Sequence, residues 1–185
     1  MDIIFDFDNT IANSTKAIHT IYQKITDDYS TKVTDLRSWD LTDICPRWDK
    51  DTINSLFSAR YLFDVLEPIE GMIELMKELH EQGHKIIICT CHEPEGVPFK
   101  DKWIQQNIPF VDEVIYIRLK SKLGKANVTG DIIIDDSLDA LNSSNVRYKI
   151  CFGNYAYNQD WNGIRADNSE LLKHYIQAIY DIEDR

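Results

Sequence analysis

The stretch IIFDFDNTIA, residues 3–12, decides how the rest of the chain is read. Ile3, Ile4 and Phe5 lead into Asp6, Phe7 and Asp8, and Asn9-Thr10 follow. The apolar run predicts a buried strand over residues 2–7. Side chains alternate along a strand, so Asp6 and Asp8 fall on one face. Two carboxylates that close repel each other unless something cationic lies between them.

The bulk numbers narrow the candidates. At 185 residues the chain is one domain, or one domain with an inserted subdomain. Apolar residues make up 43%, enough for a substantial core, and no run of about 18 apolar residues is present to span a membrane. No signal peptide is expected, because a strand begins at once with no charged region before it. Cys45, Cys89, Cys91 and Cys151 lack zinc-site spacing. Cys89 and Cys91 lie in an apolar run that reads as a buried strand, so reduced thiols in a cytoplasmic protein are expected. A net charge of −11 makes the surface a poor partner for polymeric nucleic acid. Any phosphate site then needs a local cation.

Further strands are predicted at KIIICT (85–90), EVIYI (113–117), DIII (131–134) and YKICF (148–152). Between them lie helical patterns. Asn13 and Ser14 can cap a helix with the stripe Ile18, Ile21, Tyr22, Ile25, and Asp51 can cap a short one. After Pro68 an amphipathic helix carries Met72, Ile73, Leu75, Met76 and Leu79 and stops at Gly83. Residues 98–107 suggest another helix, and Asp167 with Glu170 forms a capping box for the last one, whose tail YDIEDR reads as frayed. Alternating strands and helices predict an α/β fold, a doubly wound, Rossmann-like parallel sheet covered on both faces. The roughly fifty residues between the first strand and Pro68 are too many for a plain crossover. We read residues 14–67 as a small helical cap inserted after the first strand, and 1–13 with 68–185 as the core.

In such a sheet, ligands sit beyond the carboxyl ends of the strands. With strand order 3-2-1-4-5, Asp6, Asp8 and Thr10 would meet Thr90 and Cys91 on one side and Asp135 and Asp136 on the other. Four carboxylates in one crevice call for a counter-charge, and Mg2+ with its preference for oxygen is the natural one. Asp6 could then attack phosphorus as a nucleophile. Asp8 could protonate the leaving oxygen and later deprotonate water. Thr90 could donate to a phosphoryl oxygen, and a lysine is needed to offset transition-state charge. The metal set is Asp6, Asp8 (through its carbonyl) and Asp135, with Asp136 reaching the ion through water or from behind the direct ligands. Asp131 reads as a turn residue, and His92 as a surface residue.

In order, DFDNT, a strand ending in Thr90, a lysine and GDIIIDD resemble the motifs of the haloacid dehalogenase (HAD) phosphohydrolases. Within them, the chain is most similar to the 5'(3')-deoxyribonucleotidases. FDVLEPIEGMIELMKEL (63–79) resembles that family's segment entering the core, IICTCHEPEG its ICTSP motif, KDKWI its Lys-x-x-Trp motif, and SWDL (38–41) a cap segment lining the base pocket. The resemblance implies an Mg2+-dependent phosphomonoesterase acting on deoxyribonucleoside monophosphates through an aspartyl-phosphate. It points to Lys100 as the phosphate-holding lysine, with Lys102, Lys120, Lys122 and Lys125 remaining open. It also offers Trp39 as the leading candidate to stack a base, with Trp48, Tyr61 and Phe63 as others; for each, cap core is the alternative. Thr10, Cys91, Trp39 and Tyr61 are the expected substrate contacts. Two departures stand out: Asn9-Thr10 replaces a frequent Gly-Val, and Cys91 replaces serine.

The expected partner is a small phosphomonoester, with no polymeric nucleic acid and no membrane, and a homodimer is left open. The alternatives are a HAD phosphatase for another small metabolite, a nucleic-acid 3'-phosphatase, and a non-catalytic module that keeps the fold.

Overall fold

The structure, a computed structural model, describes residues 1–118 and 124–184. Six parallel strands form one sheet in the order β3-β2-β1-β4-β5-β6. They are β1 (Asp2–Phe5), β2 (Lys85–His92), β3 (Glu113–Arg118), β4 (Ile132–Asp135), β5 (Tyr148–Phe152) and β6 (Ile164–Ala166). The helices are α1 (Ser14–Thr26), α2 (Lys50–Leu56), α3 (Arg60–Val65), α4 (Met72–Glu81), α5 (Val97–Asn107), α6 (Leu138–Ser143) and α7 (Ser169–Glu183).

Alternation along the central strands builds two cores. Ile3, Phe5, Ile86, Ile88, Ile132 and Ile134 face the larger, with α1, α4, α5 and α7. Ile4, Ile87, Cys89 and Ile133 face the smaller, closed by Leu141 of α6 and by Val128 and Val146. The register sets Phe5 beside Ile88 on one side and Ile134 on the other, so the ends of β1, β2 and β4 lie side by side. Among the described residues no helix is long and apolar enough to cross a membrane.

Several local expectations are corrected. The sheet has a sixth strand, and α6 was not anticipated. The cap of α2 is Asp49, which accepts from Thr52 N, in place of Asp51. That of α7 is Asn168, accepting from Leu171 N, in place of an Asp167 box. In both cases the residue with extended backbone caps the helix, since only that geometry aims a side-chain oxygen at the free N–H groups. Cys91 is exposed although it lies within β2. The tail is helical to Glu183, whose carboxylate accepts from Arg147 at 2.8 Å and from Tyr148 at 2.5 Å.

Candidate active site

Beyond Phe5 the chain keeps one more rung of the ladder: Asp6 N donates to Ile134 O at 2.9 Å. It then doubles back. Ile11 N and Ala12 N both donate to Phe7 O, at 3.0 and 2.9 Å, and the buried Phe7 and Ile11 side chains anchor the turn. The reversal needs a left-handed residue, and Asn9 supplies it with φ 57°. Asparagine tolerates that region better than other side-chain-bearing residues. Its Oδ1 also accepts from Thr15 N at 3.0 Å, tying the turn to the first turn of α1. The departure from glycine at this position therefore preserves the backbone shape.

Asp6, Asp135 and Asp136 are buried, and each offers a carboxylate oxygen within 4.8 Å of the others'. Two lysines enter this acidic cluster from different directions. Lys125 Nζ lies 2.5 Å from Asp6 Oδ1 and 2.6 Å from Asp135 Oδ2. Lys100 Nζ, on α5, lies 2.8 Å from Asp8 Oδ2 and 2.9 Å from Thr90 Oγ1. Ser14 donates to Asp8 Oδ1 at 2.5 Å. Four carboxylates against two ammonium groups leave a formal charge of −2. Such a deficit in a buried site is what one divalent cation would balance.

The acid–base behaviour reflects the crowding. Burial pushes the Asp6 carboxyl up to about 7; Lys125 opposes this, while Asp135 and Asp8 add to it. Burial also raises Asp136 well above the carboxylate range, helped by the charges of Asp6 and Asp135. Burial disfavours the Lys125 ammonium, but Asp135 and Asp6 outweigh it and hold the group protonated well beyond its ordinary range.

The donor set fits a hard cation: three buried oxygen ligands with surplus negative charge, and no sulfur or imidazole among them. Asp8 stands apart from that trio, with its carboxylate engaged by Lys100 and Ser14. Thr90 is fully buried and its hydroxyl accepts from Lys100. Thr10 is fully buried too, and its hydroxyl has no hydrogen-bond partner among the described residues. Trp39 is 50% exposed and stacks on Phe57 with ring centroids 6.4 Å apart. Tyr61 is 47% exposed. Trp48 packs edge-on to Tyr22, and Phe63 stacks on Phe99, next to Lys100.

Of the candidate lysines, Lys100 and Lys125 both reach the carboxylates, whereas Lys120 and Lys122 lie outside the described residues. Sequence reading did not single out Lys125 for the centre, Ser14 as a partner of Asp8, or the tyrosines of the β5–β6 connection. There, Tyr157 donates to Asp136 Oδ2 at 2.6 Å, and Tyr155 donates to Asn9 O at 3.0 Å. The alternating aromatics of NYAYN (154–158) were the available signal.

Residues 1–178 match the family model described as 5' nucleotidase, deoxy (pyrimidine), cytosolic type C protein. No curated protein matches significantly by sequence. Among solved structures, a candidate phosphoglycolate phosphatase from Lactobacillus delbrueckii subsp. bulgaricus superposes with TM-score 0.63 at 16% identity, covering 95% of this chain and 97% of that one. The HAD hydrolase YfnB from Bacillus subtilis, bound to magnesium, superposes with TM-score 0.61 at 14% identity, covering 95% and 97%. A HAD subfamily IA hydrolase from Geobacter sulfurreducens gives 0.58 at 14%, covering 96% and 95%. At such identities the likeness establishes the HAD fold.

Proposed function

This chain belongs to the 5' nucleotidase, deoxy (pyrimidine), cytosolic type C family of phosphoric monoester hydrolases, and on that premise we propose that it dephosphorylates deoxyribonucleoside monophosphates with Mg2+ in the cytoplasm. The carrying observation is the meeting of Asp6, Asp135 and Asp136 within 4.8 Å, next to an Asp8–Lys100 pair. The family's description favours pyrimidine deoxynucleotides, and the exposed Trp39 offers a face for a base.

In this reading Asp6, Asp135 and Asp136 hold the cation, with the Asp8 carbonyl. When bound, Mg2+ would supply positive charge to offset that of the carboxylates and of a substrate phosphate. Asp6 attacks phosphorus: an O–P bond forms to its carboxylate while the bond to the nucleoside oxygen breaks, leaving an aspartyl-phosphate. Asp8, once protonated, gives that proton to the departing oxygen, then takes one from the water that cleaves the intermediate. Lys125, bonded to Asp6, opposes the burial that raises its carboxyl and so favours the ionised, nucleophilic form. Lys100, held by Thr90 and Asp8, offers its ammonium to a phosphoryl oxygen. Residues 14–67 act as a cap that shields this chemistry from water.

The test is a phosphate-release screen over pyrimidine and purine 2'-deoxynucleoside monophosphates, 5' and 3', alongside sugar phosphates, phosphoglycolate and 3'-phosphorylated oligonucleotides. Asp6→Asn serves as the blank. Release from deoxynucleotides that needs Mg2+ and vanishes in the variant is expected. Faster turnover of any other substrate class would replace the nucleotide assignment.

A further inference from the structure

The connection between β5 and β6 has no role in the chemistry above, yet it is bonded to the site at several points. Tyr155 and Tyr157 stack with ring centroids 5.2 Å apart and planes 2° from parallel. The Tyr157 hydroxyl donates to Asp136 Oδ2 at 2.6 Å and accepts from Asn9 Nδ2 at 3.3 Å. A phenol has one proton; with it spent on Asp136, the oxygen can only accept from Asn9. Asn158, fully buried, donates from Nδ2 to the backbone carbonyls of Asp136 and Phe152, each at 3.2 Å. Arg165 on β6 fixes Asn158 in turn, donating to its Oδ1 at 2.8 Å and to Gly153 O at 2.8 Å. Asp136 is therefore held by side chain and backbone at once.

We propose that Tyr157 is a positioning residue: it orients the Asp136 carboxylate toward Asp6 and Asp135 for cation binding and, through Asn9, couples that orientation to the Phe7–Ala12 turn that carries Asp8. The inference rests on the reading of these three carboxylates as a cation site. With Oδ2 taken by Tyr157, Oδ1 is the oxygen of Asp136 that no hydrogen bond reaches among the described residues. A carboxylate free to rotate would meet the other two in many poses, most of them useless for coordination. Residues that orient metal ligands typically change metal affinity by about 10–100-fold when removed. Among the described residues the Tyr155 hydroxyl bonds only the Asn9 carbonyl, and its ring shares the stack, so Tyr155→Phe serves as a control for general loosening of the connection.

The experiment titrates Mg2+ into metal-free wild type, Tyr157→Phe and Tyr155→Phe. It follows thermal midpoint and phosphate release in parallel. For Tyr157→Phe, the Mg2+ concentration giving half the thermal shift rises about tenfold, and that giving half-maximal activity rises in step. Substrate KM at saturating Mg2+ stays within about twofold, and Tyr155→Phe keeps its Mg2+ midpoint near wild type. A Tyr157→Phe midpoint equal to wild type overturns the proposal, as does an equal rise in both variants. Absence of any Mg2+ response in wild type overturns the cation reading itself, which separates the two failures.

Discussion

Asp28 and Asp136 are both buried, and each accepts a hydrogen bond from a tyrosine at 2.6 Å, from Tyr22 and Tyr157 respectively. They nevertheless sit at opposite ends of the carboxylate range. Asp28 is held down to about 2, chiefly by Ser30, whose hydroxyl and N–H donate at 2.6 and 3.0 Å, and by Tyr22. Arg47 adds an ion pair at 3.1 Å. Asp136 is pushed up by burial and by the charges of Asp6 and Asp135. The tyrosine bond is common to both, so it does not decide the outcome; the remaining neighbours do. Around Asp28 every neighbour is a donor, and the carboxylate stabilises a turn after α1. Around Asp136 the neighbours include its own kind, and burial adds to their effect. The same contrast extends to Asp43 and Asp49, whose carboxyls are lowered by hydrogen bonds from Ser38 and Thr52.

Substitutions can break this contrast, and the largest effects belong to the strand ends. Asp6→Asn removes the proposed nucleophile and should cut kcat by about 10^4-fold or more; steady-state phosphate release checks it, and residual turnover within tenfold of wild type would sink the covalent mechanism. Asp8→Asn removes the proposed proton donor and should cost about 10^2–10^4-fold, with the smallest loss on substrates whose leaving group needs no proton. Trp39→Ala tests the exposed indole: a lost stacking contact of about 1.4 kcal/mol raises KM for nucleotides about tenfold. The KM for p-nitrophenyl phosphate should hold, and parallel rises would favour a substrate without a base.

The smaller effects sharpen the comparison directly. The folded Asp136 carboxyl lies above its unfolded value of about 3.9, so ionising it opposes folding. That penalty is absent below about pH 4 and grows as pH rises. Asp136→Asn should therefore raise the thermal midpoint of the metal-free protein at pH 8, with the gap closing toward pH 4. Asp28 has the opposite sign. Its folded value lies below the unfolded one, so its stabilisation is complete above about pH 4 and lost as pH falls toward 2. Asp28→Asn should lower the urea midpoint at pH 7 and leave activity intact, and the deficit should vanish in acid. A variant whose deficit persisted at pH 2 would show that Asp28 acts through packing.

The strand ends were legible because their signals are local. Ile3–Phe5, Ile86–Ile88 and Ile132–Ile134 are unbroken apolar runs, and parallel pairing of such runs places the polar residues after them together. The sixth strand was not legible: Ile-Arg-Ala (164–166) is too short and too mixed to stand out from a loop. The six residues of α6 are below the length at which helical periodicity shows. Lys125 was only one of several candidates because it stands 119 residues from Asp6 and lies in a stretch with other lysines. The carboxylates call for Mg2+ and the transition state for a lysine; which ammonium reaches the acids is a matter of tertiary structure. The caps of α2 and α7 were misplaced by one or two residues for a related reason. Asp49 and Asp51, like Asp167 and Asn168, are chemically interchangeable as caps, and only the backbone angle tells them apart.

Gly96 is in a tight spot: a side-chain carbon there would come within 2.9 Å of Phe57 O and 3.0 Å of Ser58 Cα. The main chain between α2 and α3 thus presses on the start of α5, and Trp103 Nε1 donates to Leu66 O at 3.0 Å further along the same helix. Lys100 lies between these two points of attachment. Anyone exchanging residues 14–67 for those of a relative, to give the protein a new appetite, would also be resetting the height of that ammonium above the acids. The fault would show first as slower work on every compound offered, and only afterwards as a change of taste.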